Sequence, residues 1–274
     1  DMLAGFLDTS DEWIRTRTGV VSRHVISDER LEDMAIEAAK MALDNAGMKA
    51  EELDFIICSN VVNEYVTPQL SCIIQGGIGA TCPCIDINCA CAGFIYAVEI
   101  AESFYQAGKV RNVLVVSAEE PTRMTDWNDR RTCVLFGDGA GAAVLAPGDN
   151  IKCVKLSASS ATDKLWQYRL LHPTPYITKK ETDVPLQMKG QDVFKFAVKA
   201  ASKDISRVLE ETGHGADDVD HYLLHQANIR IINAIQEYLE QPKEKFPTNI
   251  EDHGNSSSSC CPILLDECNR KGVF

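Results

Sequence analysis

The chain has 274 residues, 45% of them hydrophobic and 24% charged, a balance that gives a globular protein with one large core or two smaller ones. Its formal net charge of −13 argues against nucleic acid as the main partner, though an acidic partner could still meet a local basic patch. No apolar run approaches the roughly 20 residues that span a bilayer, and no secretory signal opens the sequence, which starts at Asp1.

In chain order, Thr9-Ser10-Asp11-Glu12 has the form of a capping box and predicts a short helix carrying Trp13. A helix over about 31–46 follows, with Met34, Ala38, Met41, Ala42 and Ala46 near one face and Gly47 as its stop. The apolar run 54–58 reads as a buried strand, 68–77 as a helix and 84–87 as a second strand. A helix from Cys91 to Ala107 ends at Gly108, and Val113-Leu114-Val115-Val116 has the uninterrupted apolarity of a strand in a parallel sheet covered on both faces. Gly137-Asp138-Gly139-Ala140-Gly141 leads into the apolar run 142–145. No Lys-Ser/Thr follows it, which favours a hairpin or close strand packing over a phosphate loop.

From Ile151 a second half begins. Residues 158–188 are irregular and polar, a long surface loop. Then come a helix over about 191–211, a strand His221-Tyr222-Leu223-Leu224, a helix from Asn228 and a last helix over about 260–270. Alternating strands and helices give an α/β layered architecture, with halves 1–150 and 151–274 repeating one plan.

Eleven cysteines sit at irregular spacings, several inside apolar runs, where a free thiol packs as a small hydrophobe. The pairs Cys82/Cys84, Cys89/Cys91 and Cys260/Cys261 lack the C-x-x-C spacing of a structural zinc site, so no metal is expected and the compartment is a reducing one. Asp86 to Phe94 passes from strand through small residues into helix. This places Cys91 at a helix N-terminus, where unpaired N–H groups favour a thiolate and could hold an oxyanion. His225 follows an apolar strand, at the kind of carboxyl end where α/β sheets gather ligands, and Asn255 lies in the turn His253-Gly254-Asn255-Ser256. Taken one at a time, a buried cysteine, a structural histidine and a turn asparagine explain these residues equally well.

Together, in order and at compatible spacing, these segments resemble β-ketoacyl-acyl-carrier-protein synthase III, a condensing-enzyme family of the thiolase superfamily. The resemblance rests on Thr9 to Ile14 with Arg17-Thr18-Gly19, on Asn88 to Phe94 and on Phe136 to Gly141. It continues through His225-Gln226-Ala227-Asn228 and His253 to Ser256, and so covers nearly the whole chain. It implies a thiolase-like α/β/α/β/α fold of two related halves and a cytoplasmic homodimer. It also implies decarboxylative condensation of an acyl-CoA primer with malonyl-acyl-carrier protein, with no permanently bound cofactor. Cys91 would carry the acyl group, while His225 and Asn255 would hydrogen-bond the malonyl thioester oxygen. Cys89 would be a packing residue.

By the same resemblance Trp13 and Arg130 flank the adenine of CoA and Arg17 lies nearby, where stacking on indole and guanidinium planes supplies the physics. Lys195 and Arg230 match positions that dock the acidic carrier protein; Lys195 begins a stripe with Lys199, Lys203 and Arg207 whose plain reading is a solvated helix face. Thr67 matches an acyl-pocket position contributed across the dimer, and being smaller than phenylalanine it would admit a longer or branched primer. The family has a further strand before the position of Asp1, and strands with a glycine-rich oxyanion segment after that of Phe274. Relative to it this chain is either part of a longer polypeptide or an incomplete site. The run Ser256 to Ser259 is richer in serine than the family pattern. Three alternatives stay open: a secondary-metabolite condensing enzyme with a specialised primer, a catalytically inactive binding paralogue, and a degradative thiolase. The last usually works with a second cysteine as acid-base, which the His225/Asn255 pair does not match.

Overall fold

The computed structural model describes residues 2–169, 174–176 and 184–274. Helix α1 (Asp11–Thr18) precedes α2 (Leu31–Ala46), β1 (Phe55–Ser59), α3 (Leu70–Ile78), β2 (Cys84–Ile87), α4 (Gly93–Gln106), β3 (Val113–Glu119) and β4 (Gly139–Leu145). These four strands form one sheet in the order β2-β1-β3-β4, parallel except for β4, which runs antiparallel to β3. Side chains alternate across it, as the pleat requires. Ile56, Cys58, Leu114 and Val116 pack on Leu31, Ala35, Ala39 and Leu43 of α2 and on Leu70 and Ile74 of α3. On the opposite face Ile57, Val113 and Val115 pack on Phe94, Ala97 and Ala101 of α4. Ile56, Ile57 and Leu114 are fully buried, each worth about 1.5–3 kcal/mol of transfer free energy.

The second half contains the two-residue ladder β5 (Leu165–Trp166) with β6 (Gln187–Met188), then α5 (Gly190–Thr212), α6 (Ile229–Leu239), α7 (Ile250–His253) and α8 (Cys260–Arg270). Helices α5 and α6 share a core of Phe194, Val198, Ile205, Tyr222, Ile231, Ile232, Ile235 and Phe246. Helix α8 lies along β4, where Gly141 lets Pro262 approach: a Cβ there would stand 2.9 Å from Cγ of Pro262. That close packing is one of the two plain readings of the glycine-rich segment.

Several expectations need correction. Residues 170–173 and 177–183 of the long loop lie outside the described residues. Helix α1 is capped by Ser10, whose Oγ accepts from Trp13 N at 3.1 Å, rather than by a box from Thr9 to Glu12. Helix α3 begins at Leu70, not Pro68, because the Asp86 carboxylate accepts from both Leu70 N and Ser71 N at 2.8 Å and so fixes the first turn. The predicted strand 221–224 joins no ladder among the described residues. Its Tyr222 ring stacks on Phe246 instead, and its Tyr222 N donates to Lys245 O at 2.7 Å. Cys91 sits in the 3₁₀ turn Ala90–Ala92 just before α4, not inside the helix.

Candidate active site

The chain leaves β2 and turns sharply before α4. Ala90 takes φ +47°, and the Asn88 side chain accepts from Ala90 N at 3.4 Å, an Asx-type turn. Gly93 opens α4 against β1, and a Cβ there would collide with Ser59 Oγ. This close approach sets Cys91 over the carboxyl ends of β1, β2 and β3, where sites in open α/β sheets form.

Asn255 reaches the same place from the other half. Gly254, at φ +64°, has no room for a side chain, since a Cβ would meet Leu135 O at 2.8 Å. The turn is stitched to the first half by Asn255 N donating to Leu135 O at 2.8 Å and Gly137 N donating to Asn255 O at 3.1 Å. Asn255 is 7% exposed, and its Oδ1 accepts from Ser257 N at 2.9 Å, which fixes the amide. Nδ2 has no protein hydrogen-bond partner among the described residues. The Ser257 hydroxyl acts to lower the pKa of the Cys91 thiol.

His225 precedes α6. Gln226, fully buried, braces its loop by accepting from Asn249 N at 3.2 Å and donating to Leu224 O at 2.8 Å. Nδ1 of His225 lies 2.8 Å from Cys260 Sγ at the start of α8, and Nε2 has no partner among the described residues. Cys261, beside Cys260 at the start of α8, interacts electrostatically with both Cys91 and His225, so that helix end lies near both side chains.

The electrostatics differ from expectation. The Cys91 residue keeps some solvent exposure, but its sulfur is enclosed. Burial pushes its thiol up to about 11; the Ser257 hydroxyl opposes this and the Glu119 carboxylate adds to it. In the resting site burial therefore outweighs the helix terminus, and the thiol stays protonated. Burial also lowers His225, leaving a neutral imidazole at pH 7. Glu119, at the end of β3, rises to about 7 through burial, although it accepts from Ser258 Oγ at 2.5 Å and Val61 N at 3.1 Å.

Trp13 on α1 has two guanidinium groups against its ring, Arg130 at 5.2 Å and Arg17 at 5.7 Å from the centroid. Arg130 is also held by the Asp8 carbonyl and carboxylate. Asn228 caps α6 by accepting from Arg230 N at 2.9 Å and donates to Arg17 O at 3.1 Å, which ties this aromatic face to the N-terminus of α6. Lys195 is exposed on α5, and the Arg230 guanidinium lies over the neighbouring Phe194 ring. Thr67 is exposed. Sequence reasoning missed Glu119, Ser257 and Cys260. An acid closing an otherwise apolar strand and two cysteines right after a serine run were the available signals.

Two family models match the chain: 3-oxoacyl-[acyl-carrier-protein] synthase III over residues 85–163 and its C-terminal counterpart over residues 209–274. A β-ketoacyl-[acyl-carrier-protein] synthase III of Clostridium perfringens is 41% identical over 278 residues, covering 99% of this chain and 86% of that protein. The crystal structure of 3-oxoacyl-[acyl-carrier-protein] synthase III from Aquifex aeolicus superposes with a TM-score of 0.84 at 39% identity, covering 99% of this chain and 86% of that one. The Pseudomonas aeruginosa synthase III structure gives a TM-score of 0.91 at 32% identity, covering 100% and 85%.

Proposed function

This chain belongs to the 3-oxoacyl-[acyl-carrier-protein] synthase III family, with its thiolase fold, and from that premise we propose the roles of its site residues. It is an acyltransferase that performs the initiating condensation of fatty-acid synthesis, taking acyl-CoA and malonyl-acyl-carrier protein as substrates. Cys91 is the acyl carrier. Its sulfur adds to the acyl-CoA carbonyl, the C–S bond to CoA breaks, and the departing CoA sulfur takes the proton. Malonyl-carrier protein then loses carbon dioxide, and the electron pair of the broken C–C bond forms an enolate. The enolate carbon attacks the acyl–Cys91 carbonyl, releases the Cys91 sulfur, which takes up a proton from solvent, and leaves a 3-oxoacyl product. His225 Nε2–H and Asn255 Nδ2–H hold the enolate oxygen. One observation carries this reading: the opposite atoms of both side chains are pinned by Cys260 and by Ser257 N, which leaves the two remaining polar atoms free among the described residues.

Trp13, Arg17 and Arg130 form the CoA face of the proposal, and Thr67 borders an acyl pocket completed by a second copy of the chain, in a cytoplasmic homodimer whose halves divide near residue 150. No helix among the described residues is long and apolar enough to cross a membrane. The test is incubation with a panel of acyl-CoAs and then malonyl-carrier protein, followed by intact mass. A covalent acyl adduct and a 3-oxoacyl-carrier product are expected, with the best primer longer or branched; folded protein that yields neither refutes the reading.

The docking patch makes a separate prediction. Reversing Lys195→Glu and Arg230→Glu together should raise KM for malonyl-carrier protein about tenfold or more at low salt and leave acyl-CoA loading within about twofold, as expected of charges that steer an acidic partner. Equal loss in both steps would show that the two residues do not select the carrier protein.

A further inference from the structure

We propose that Cys260 is a positioning residue whose thiol donates to Nδ1 of His225 and so fixes the imidazole as its Nε2–H tautomer. The inference deepens the reading above, since only that tautomer can offer a proton to an enolate oxygen. Cys260 is 2% exposed at the start of α8, and its sulfur has three polar neighbours: His225 Nδ1 at 2.8 Å, Gln226 N at 3.4 Å and Cys261 Sγ at 3.9 Å. The Gln226 N–H can only donate, so the sulfur accepts there. The single thiol proton then has two possible acceptors, and the imidazole nitrogen is nearer and stronger than a second sulfur. Burial holds the thiol protonated, well above its ordinary range. A neutral imidazole that accepts at Nδ1 must carry its proton on Nε2. The reverse arrangement, with Nδ1–H donating to the Cys260 sulfur and the thiol proton turned to Cys261, would turn an Nε2 lone pair toward the enolate and repel it.

Nitrogen-15 NMR of histidine-labelled protein reads the tautomer directly, with His225 identified by the resonances lost in His225→Gln. Wild type and Cys260→Ser should show unprotonated Nδ1 and protonated Nε2, because a hydroxyl can make the same donation. Cys260→Ala, checked for folding by circular dichroism, should show exchange between tautomers. In parallel, Cys260→Ala should lower kcat for condensation about tenfold, less than the roughly 10²–10³ lost with an oxyanion donor itself, while KM for malonyl-carrier protein and the rate of acyl loading stay within about twofold. Cys260→Ser should recover most of the loss. Protonated Nδ1 in the wild type overturns the proposal, as does a Cys260→Ala protein unchanged in tautomer and kcat, or a folded Cys260→Ser that recovers nothing. The spectrum requires no turnover. Failure of condensation in the wild type would therefore count against the reaction, and a wrong tautomer against Cys260.

Discussion

Cys91→Ala is expected to accumulate no acyl adduct with any acyl-CoA and to lose condensation by about 10⁴ or more, the scale of removing a covalent nucleophile. The pH dependence of the wild type is as diagnostic. Alkylation of Cys91 by iodoacetamide, followed by peptide mass, should rise about tenfold per pH unit from 7 to 10, since the reactive thiolate accumulates only as pH approaches the thiol's value from below. The sign follows from the competition at the site. A helix N-terminus favours an anion by roughly 0.3–1 kcal/mol. Full burial can shift a group by up to about 3–5 pKa units, each worth about 1.36 kcal/mol. Burial raises Cys91 to about 11 and the Glu119 carboxylate adds to that rise, so no plateau should appear near neutral pH. A plateau there would show that the helix terminus wins. A protonated resting thiol remains compatible with loading, because the CoA sulfur that departs accepts the proton.

The first half of the fold was legible because its sheet is buried on both faces. An all-apolar run such as Val113 to Val116 has few alternatives to a central parallel strand, and Gly47 stops α2 in the left-handed conformation, as its position in the sequence suggests. The strand expected at His221 to Leu224 failed for the complementary reason. Apolarity marks burial, but a strand needs a hydrogen-bonding neighbour, and Tyr222 found a ring and a loop carbonyl instead. The start of α3 was misplaced because its cap comes from Asp86, distant in sequence and invisible to a local reading.

The site divides the same way. Cys91, His225 and Asn255 are singled out by ordered motifs, each carrying chemistry in its own residue type. Glu119 and Cys260 act through neighbours 139 and 35 residues away in the chain, respectively. Nothing in their local sequence states those partners. The thiolate expected at Cys91 failed because burial, with Glu119 adding to it, raises the thiol, and burial of a single sulfur is set by the folded packing and not by its neighbours in sequence.

Removing either enolate donor should separate the two half-reactions. His225→Ala and Asn255→Ala are each expected to load an acyl group onto Cys91 within about threefold of the wild-type rate, yet to release carbon dioxide from malonyl-carrier protein about 10²–10³-fold more slowly, the cost of deleting one donor to a developing oxyanion. Loading should be spared if His225 acts as proposed, as a neutral donor and not a base for the thiol; burial lowers its basicity, and its Nδ1 is already engaged by Cys260. The double variant should lose less than the product of the two single losses, since both donors serve one oxygen and act as a unit. Adduct mass measures the first step and carbon dioxide release the second, on one sample. If His225→Ala slowed loading as severely as decarboxylation, His225 would be the base that activates Cys91. If Asn255→Ala left decarboxylation intact, the amide pinned by Ser257 N would be holding the turn and not the enolate.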